Sequence, residues 1–228
     1  MKKLFLIVFS MMLVVDSYSA FESTYKPLQS EKILFINGNI LDGEGNELLD
    51  TDLLIGDGKI VAMGRGISVD DKDVKIIDAK NKWITPGIID IHSHMGVYPA
   101  PSVRTSSDGN EATSPVTAEV WAEHSMWVQD PQYALALKGG VTIFHVLPGS
   151  ANLIGGRGVT VKNLQRNTIQ SMKYPDAKHS LKMACGENPK RVYGNRGQAP
   201  STRMGNFAGY RKAWIEAENY LNKIEVYD

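Results

Sequence analysis

His92 and His94 stand one residue apart at the end of an apolar run that opens Thr85-Pro86-Gly87-Ile88-Ile89. Side chains on a strand alternate faces with period 2, so the two imidazoles point the same way. Neutral imidazole nitrogens suit zinc and related divalent ions, at about 2.0–2.1 Å. A cation held in this way lowers the pKa of its bound water to about 7, which makes hydroxide available near neutral pH. Two histidines at this spacing in an arbitrary strand are usually packing or surface residues, and the context is what argues for ligation. A Pro-Gly turn feeds a stretch apolar enough for a buried parallel strand, and the pair sits at its C-terminal end, where parallel barrels keep their chemistry.

The elements that must position this pair change character near residue 86. Before it, short strands are predicted over 33–36, 39–41, 52–55, 59–63 and 74–78, punctuated by Asn37-Gly38, Asp42-Gly43 and Gly56-Asp57-Gly58. Such dipeptides between apolar alternations are hairpin signals, so residues 21–85 read as a small β module. From Ile88 onward strand and helix alternate, which argues for a parallel sheet or barrel. A strand over 88–94 is followed by a loop rich in Pro, Ser and Gly over 99–115. A short helix over 132–138 is opened by Asp130-Pro131 and closed by Gly139-Gly140. A second strand spans 141–147, a glycine-rich loop 148–158, and extended structure resumes over 159–162. Residues 201–226 predict a last amphipathic helix with Trp214, Leu221 and Ile224 on an apolar stripe.

Residues 86–94 match without a gap the pattern Pro-Gly-x-x-Asp-x-His-x-His. This stretch resembles the first barrel strand of the amidohydrolase superfamily of metal-dependent hydrolases. Residues 33–38 with 55–60 resemble the N-terminal half of the β-sandwich that flanks the barrel in that family. The loop 148–158 (PGSANLIGGRG) and the segment 182–194 (KMACGENPKRVYG) resemble an imidazolonepropionase-related subgroup, so the likeness covers most of residues 32–220.

The resemblance implies an α/β fold: a partial TIM-like (β/α)8 barrel over 86–228, preceded by a small β-sandwich module over 21–85. Such a barrel takes about 250 residues, so the barrel is expected to be incomplete in this chain. The resemblance also implies a divalent metal, zinc by its donor chemistry, held by His92 and His94. A third ligand in the family is a carboxylate or a carbamylated lysine, for which Glu187 and Lys182 are the candidates. Glu187 is preferred because a carboxylate ligates directly, with an ion pair to Lys190 or Arg191 as the plainer alternative. The expected reaction is hydrolysis of a non-peptide C–N bond, in a cyclic or dipeptide-like amide, by metal-activated water. The family's general base comes from a later strand, expected beyond residue 228. The competing expectation is a catalytically incomplete fragment without turnover.

Gly155-Gly156-Arg157-Gly158 lacks the Gly-Lys-Ser/Thr of a phosphate-binding loop. Arg157 is the candidate for a substrate carboxylate through its bidentate fork, or else a surface charge. His145 on the second strand reads as core, and His124 and His179 as structural or solvated residues.

The chain opens with Lys2 and Lys3, an apolar run over 4–15, and small residues ending at Ser19-Ala20. This is the layout of a signal peptide over 1–20, too short for a membrane span. It predicts an exported protein, periplasmic or secreted, free of the membrane after cleavage. Cys185 is the one cysteine, so no intramolecular disulfide can staple the fold. Basic and acidic residues balance at 25 each, which leaves no basic field for nucleic acid. The expected partner is a small amide, with room for a homo-oligomer.

Overall fold

The computed structural model describes residues 20–227, so the leader expected over 1–20 lies, except for Ala20, outside the described residues. Among these residues no helix is long and apolar enough to cross a membrane.

The N-terminal module is one mixed sheet of five strands: β1 (Ile33–Leu41), β2 (Glu47–Gly56), β3 (Lys59–Gly64), β4 (Lys75–Asp78) and β5 (Trp83–Ile84). The order is β3-β2-β1-β4, with β5 pairing the far end of β1. β1 runs antiparallel to β2 and parallel to β4 and β5. Asp57 and Gly58 both have positive φ, 52° and 71°, the conformation that a two-residue hairpin between β2 and β3 requires. Asp42 closes the β1–β2 connection by accepting the Glu44 and Asn46 N–H groups at 2.8 and 3.1 Å.

Asn37-Gly38 differs from expectation. It lies inside the single strand β1 as a bulge, with the register slipping on either side of Gly38. Asn37 adopts φ 59°, a left-handed backbone that Asn tolerates. Its N–H donates to Asp52 Oδ1 at 3.0 Å and its Nδ2 to Asp78 Oδ1 at 3.1 Å, so two neighbouring strands hold the bulge.

The second body starts at β6 (Ile88–Ser93), which pairs in parallel with β7 (Val141–Val146); β7 pairs antiparallel with β9 (Val159–Lys162). A separate ribbon joins β8 (Ile154–Arg157) to β10 (Leu181–Met183). Two parallel neighbours are therefore present and no closed barrel is seen among the described residues. The glycine-rich stretch 148–158 contains β8, so it is part strand and not wholly a loop.

The helices are α1 (Gln132–Lys138), α2 (Ile169–Met172), α3 (Glu187–Gly194) and α4 (Arg203–Tyr227). The core lies where β7 and β9 show period 2: Phe144 and Val146 on one strand and Val159 and Val161 on the other are buried with Val97, Tyr133, Ile169 and Met172. On α4 the expected stripe of Trp214, Leu221 and Ile224 is exposed, and Asn206 is its one buried residue. The strand β6 was expected to be buried, yet Ile88, Ile89 and Ile91 are more than half exposed. β7 is the one strand β6 pairs with among the described residues, which leaves its other flank open.

Candidate metal centre

His92 is the penultimate residue of β6 and His94 follows its end. Ser93 between them is buried and, by the alternation of a strand, lies on the opposite face. The two rings lie with centroids 5.5 Å apart, nearly perpendicular at 88°. The end of β7 fixes one of them: Leu147 N–H donates to Ser93 O at 2.9 Å, and His94 Nδ1 lies 2.8 Å from Leu147 O. A carbonyl accepts only, so Nδ1 carries the hydrogen and Nε2 keeps a free lone pair. This backbone clamp is the kind that orients a metal-binding histidine.

Beyond the pair, the loop is tied to α1 through buried Asp130. Its carboxylate accepts from Gly96 and Ala100 N–H groups at 3.3 Å each and from the Gln132 N–H at 3.0 Å. The N-cap of α1 is Pro131, with no side-chain cap bond, and Asp130 just before it shapes the loop that leaves the histidines.

The third group at the pair is Lys182. From β10 its Nζ reaches 2.9 Å from His92 Nε2. Lys182 is buried while its neighbours Leu181 and Met183 are exposed, an inversion of the usual apolar-in pattern. Burial holds the Lys182 ammonium below the usual lysine range. The Lys182 charge, then burial and His94, push the His92 imidazolium down, with Asp90 opposing.

Glu187 goes elsewhere. It opens α3, its side chain is two-thirds exposed, and its Oε1 accepts from Arg191 Nε at 2.9 Å. Among the described residues no group of three or more His, Cys, Asp or Glu side chains is arranged to hold a metal. The structure therefore does not bring Glu187 to His92 and His94, and the ion pair weighed against ligation is the contact found.

Arg157 lies on β8 with its guanidinium carbon 4.4 Å from the Trp121 ring centroid. His145 is half-buried, with Nδ1 2.9 Å from Thr160 Oγ1 and Nε2 2.6 Å from Ser180 Oγ. Burial, then His179 and His92, lower its pKa. His179 bonds Gly158 O at 2.7 Å and meets Trp121 edge-on at 4.7 Å. His124 is half exposed beside Glu123.

Parallel β6 and β7, with His92 and His94 at the C-terminal end of β6, set the candidate site on an α/β scaffold. No family model matches the chain. An amidohydrolase of known structure from Thermotoga maritima is 40% identical with a TM-score of 0.76, over 85% of this chain and 49% of that one. The amidohydrolase tasK of Hapsidospora irregularis is 34% identical over 183 residues, 75% of this chain and 19% of its own length. A dihydroorotase of Bacillus cytotoxicus is 44% identical over 62 residues, 27% of this chain and 14% of that one. The chain belongs to the amidohydrolase superfamily. It spans about half the length of the Thermotoga protein and about a fifth of tasK.

Proposed function

We propose that the protein acts as a metal-dependent hydrolase of a non-peptide C–N bond, in a cyclic or dipeptide-like amide. The observation that carries this reading is the joint placement of His92, clamped His94 and buried Lys182 at one strand end. The donor set fits a divalent cation of zinc's preferences: two imidazoles with a free Nε2 lone pair on His94, and a lysine lacking an ionic partner among the described residues.

His92, His94 and Lys182, the last as a carbamate, would hold the ion, in place of the Glu187 preferred from the sequence. The neutral Lys182 amine attacks carbon dioxide: an N–C bond forms as one C=O π bond opens onto oxygen, and the nitrogen's proton passes to water. Burial favours the neutral amine and so favours this step. When bound, a divalent ion supplies Lewis acidity and a water of near-neutral pKa. The Leu147 carbonyl keeps the His94 tautomer fixed, and Asp130 anchors the loop that follows. An exported location, periplasmic or secreted, completes the proposal on the strength of the N-terminal pattern.

The test is zinc content by elemental analysis, with release of amine or carboxylate from cyclic amides and dipeptides by the full chain. Metal that disappears in the His92→Ala, His94→Ala double variant, together with turnover of an amide, supports the reading. A chain that binds no divalent ion, or whose binding ignores both substitutions, overturns it.

A further inference from the structure

A cavity of about 300 Å³ opens beside His94, lined also by Tyr98, Asn110, Ser150, Asn188 and Arg191. Its size is at the small end of ligand pockets. The acceptors of its wall are engaged internally: Asn110 Oδ1 takes the Ala151 N–H at 3.0 Å, and Asn188 Oδ1 faces Arg191 NH2 at 3.5 Å. Asn188 Nδ2 donates to Ser150 Oγ at 2.6 Å, which leaves the Ser150 hydroxyl hydrogen free to point into the space. Gly149 lets the loop pass here, because a Cβ at that position would collide with the Asn110 side chain.

Arg191 is the one permanently charged residue in this wall among the described residues. Glu187 holds it by Nε alone, in an exposed i,i+4 pair. Exposed pairs of this kind are weak. The hold fixes the direction of the fork, and with Nη2 facing Asn188 Oδ1 at 3.5 Å it leaves Nη1 and the second Nη2 hydrogen for another acceptor. Planar guanidinium edges match carboxylates bidentately.

We infer that this cavity is a carboxylate subsite, so that the substrate is a small amide carrying a free acid group, with Arg191 as the specificity-determining residue. The acid would sit on Arg191 and Ser150, placing the remainder of the molecule toward His94. Asn188 positions both, through its bonds to Ser150 and Arg191. This assignment rests on the hydrolase reading above and transfers to Arg191 the part expected of Arg157, which is stacked on Trp121.

The probes are N-acetylglycine and N-acetylglycinamide, alike in shape and different in charge. Binding to the full chain is read by NMR titration of the Asn and Arg side-chain N–H resonances, with no turnover needed. The acid should bind at least about tenfold more tightly than the amide, a difference of about 1.4 kcal/mol. That preference should vanish in Arg191→Gln and survive in part in Arg191→Lys. Glu187→Gln, which keeps Arg191, should retain it. Equal binding of the two probes, or an unchanged preference in Arg191→Gln, overturns the subsite. A chain that hydrolyses acid and neutral amides alike keeps the hydrolase reading and loses this inference. One that selects the acid through Arg191 but takes no divalent ion does the reverse.

Discussion

Lys182 Nζ lies 2.9 Å from His92 Nε2, and Lys182 takes part in none of the ion pairs among the described residues. A buried ammonium without an anion is costly, so the group is expected to be neutral or chemically capped. Chain prepared with 13C-bicarbonate is expected to show a carbamate carbon resonance that is absent from Lys182→Arg. Zinc affinity should fall at least about tenfold in Lys182→Ala, the scale seen when support of a metal site is removed. A carbamate signal that persists in Lys182→Arg would place it on another lysine.

His92 is exposed and His94 only partly buried, so their removal should separate stability from metal binding. His92→Ala is expected to shift unfolding free energy by about 0.5 kcal/mol or less, as surface substitutions do, and His94→Ala by about 1 kcal/mol, the scale of the lost bond to Leu147 O. Both should abolish tight zinc uptake. Denaturant unfolding beside metal titration makes the comparison.

Glu123 and Lys173 form an ion pair at 2.5 Å with side chains 0% and 8% exposed. Breaking such a pair strands one charge in the interior, at a cost of about 3–5 kcal/mol. Glu123→Ala and Lys173→Met should each lose stability on that scale, while the Glu123→Met, Lys173→Met double variant should lose distinctly less. Urea midpoints of the three variants decide it.

The N-terminal sheet should be acid-sensitive. The Asn46 side chain, with nearby N–H groups, holds the Asp42 carboxyl below its ordinary 3.8. Lys32 does the same for Asp71, and the Asn37 side chain for Asp78. Folded values below the unfolded one mean that this stabilisation is complete above pH 3.8 and lost as pH falls through the depressed values. Melting temperature should hold above pH 3.8 and drop as pH falls below it, and Asp78→Asn should flatten that drop.

Much of this architecture was legible because the strands of the first module and the α1 helix carry their own punctuation. Asn37-Gly38 misled because the same dipeptide serves a turn or a bulge, and only the partners Asp52 and Asp78 select the latter. The closeness of His92 and His94 was readable from period 2, whereas the ligand reading drew on the Pro-Gly turn and the strand end around them. The placement of Lys182 beside His92 needed the pairing of β10 with β8, and that of Glu187 the helix on which it meets Arg191. A local signal did exist: a lysine between Leu181 and Met183 in an extended segment, where local pattern and burial disagree, as they tend to at functional positions. The exposed isoleucines of β6 carry no such mark, since composition says how apolar a strand is and not what covers it.

The first described residues are laced to distant parts of the chain. Phe21 N–H donates to Glu123 Oε1 at 3.1 Å, Lys173 Nζ reaches Phe21 O, and Ser23 Oγ donates to Lys173 O at 2.8 Å. These contacts bridge 102 to 152 positions of sequence, so loop-closure entropy delays them until the intervening elements have assembled. The amino-terminal strap is thus the final stitch of folding, and a bulky tag fused immediately ahead of Phe21 would tug on the buried carboxylate it fastens.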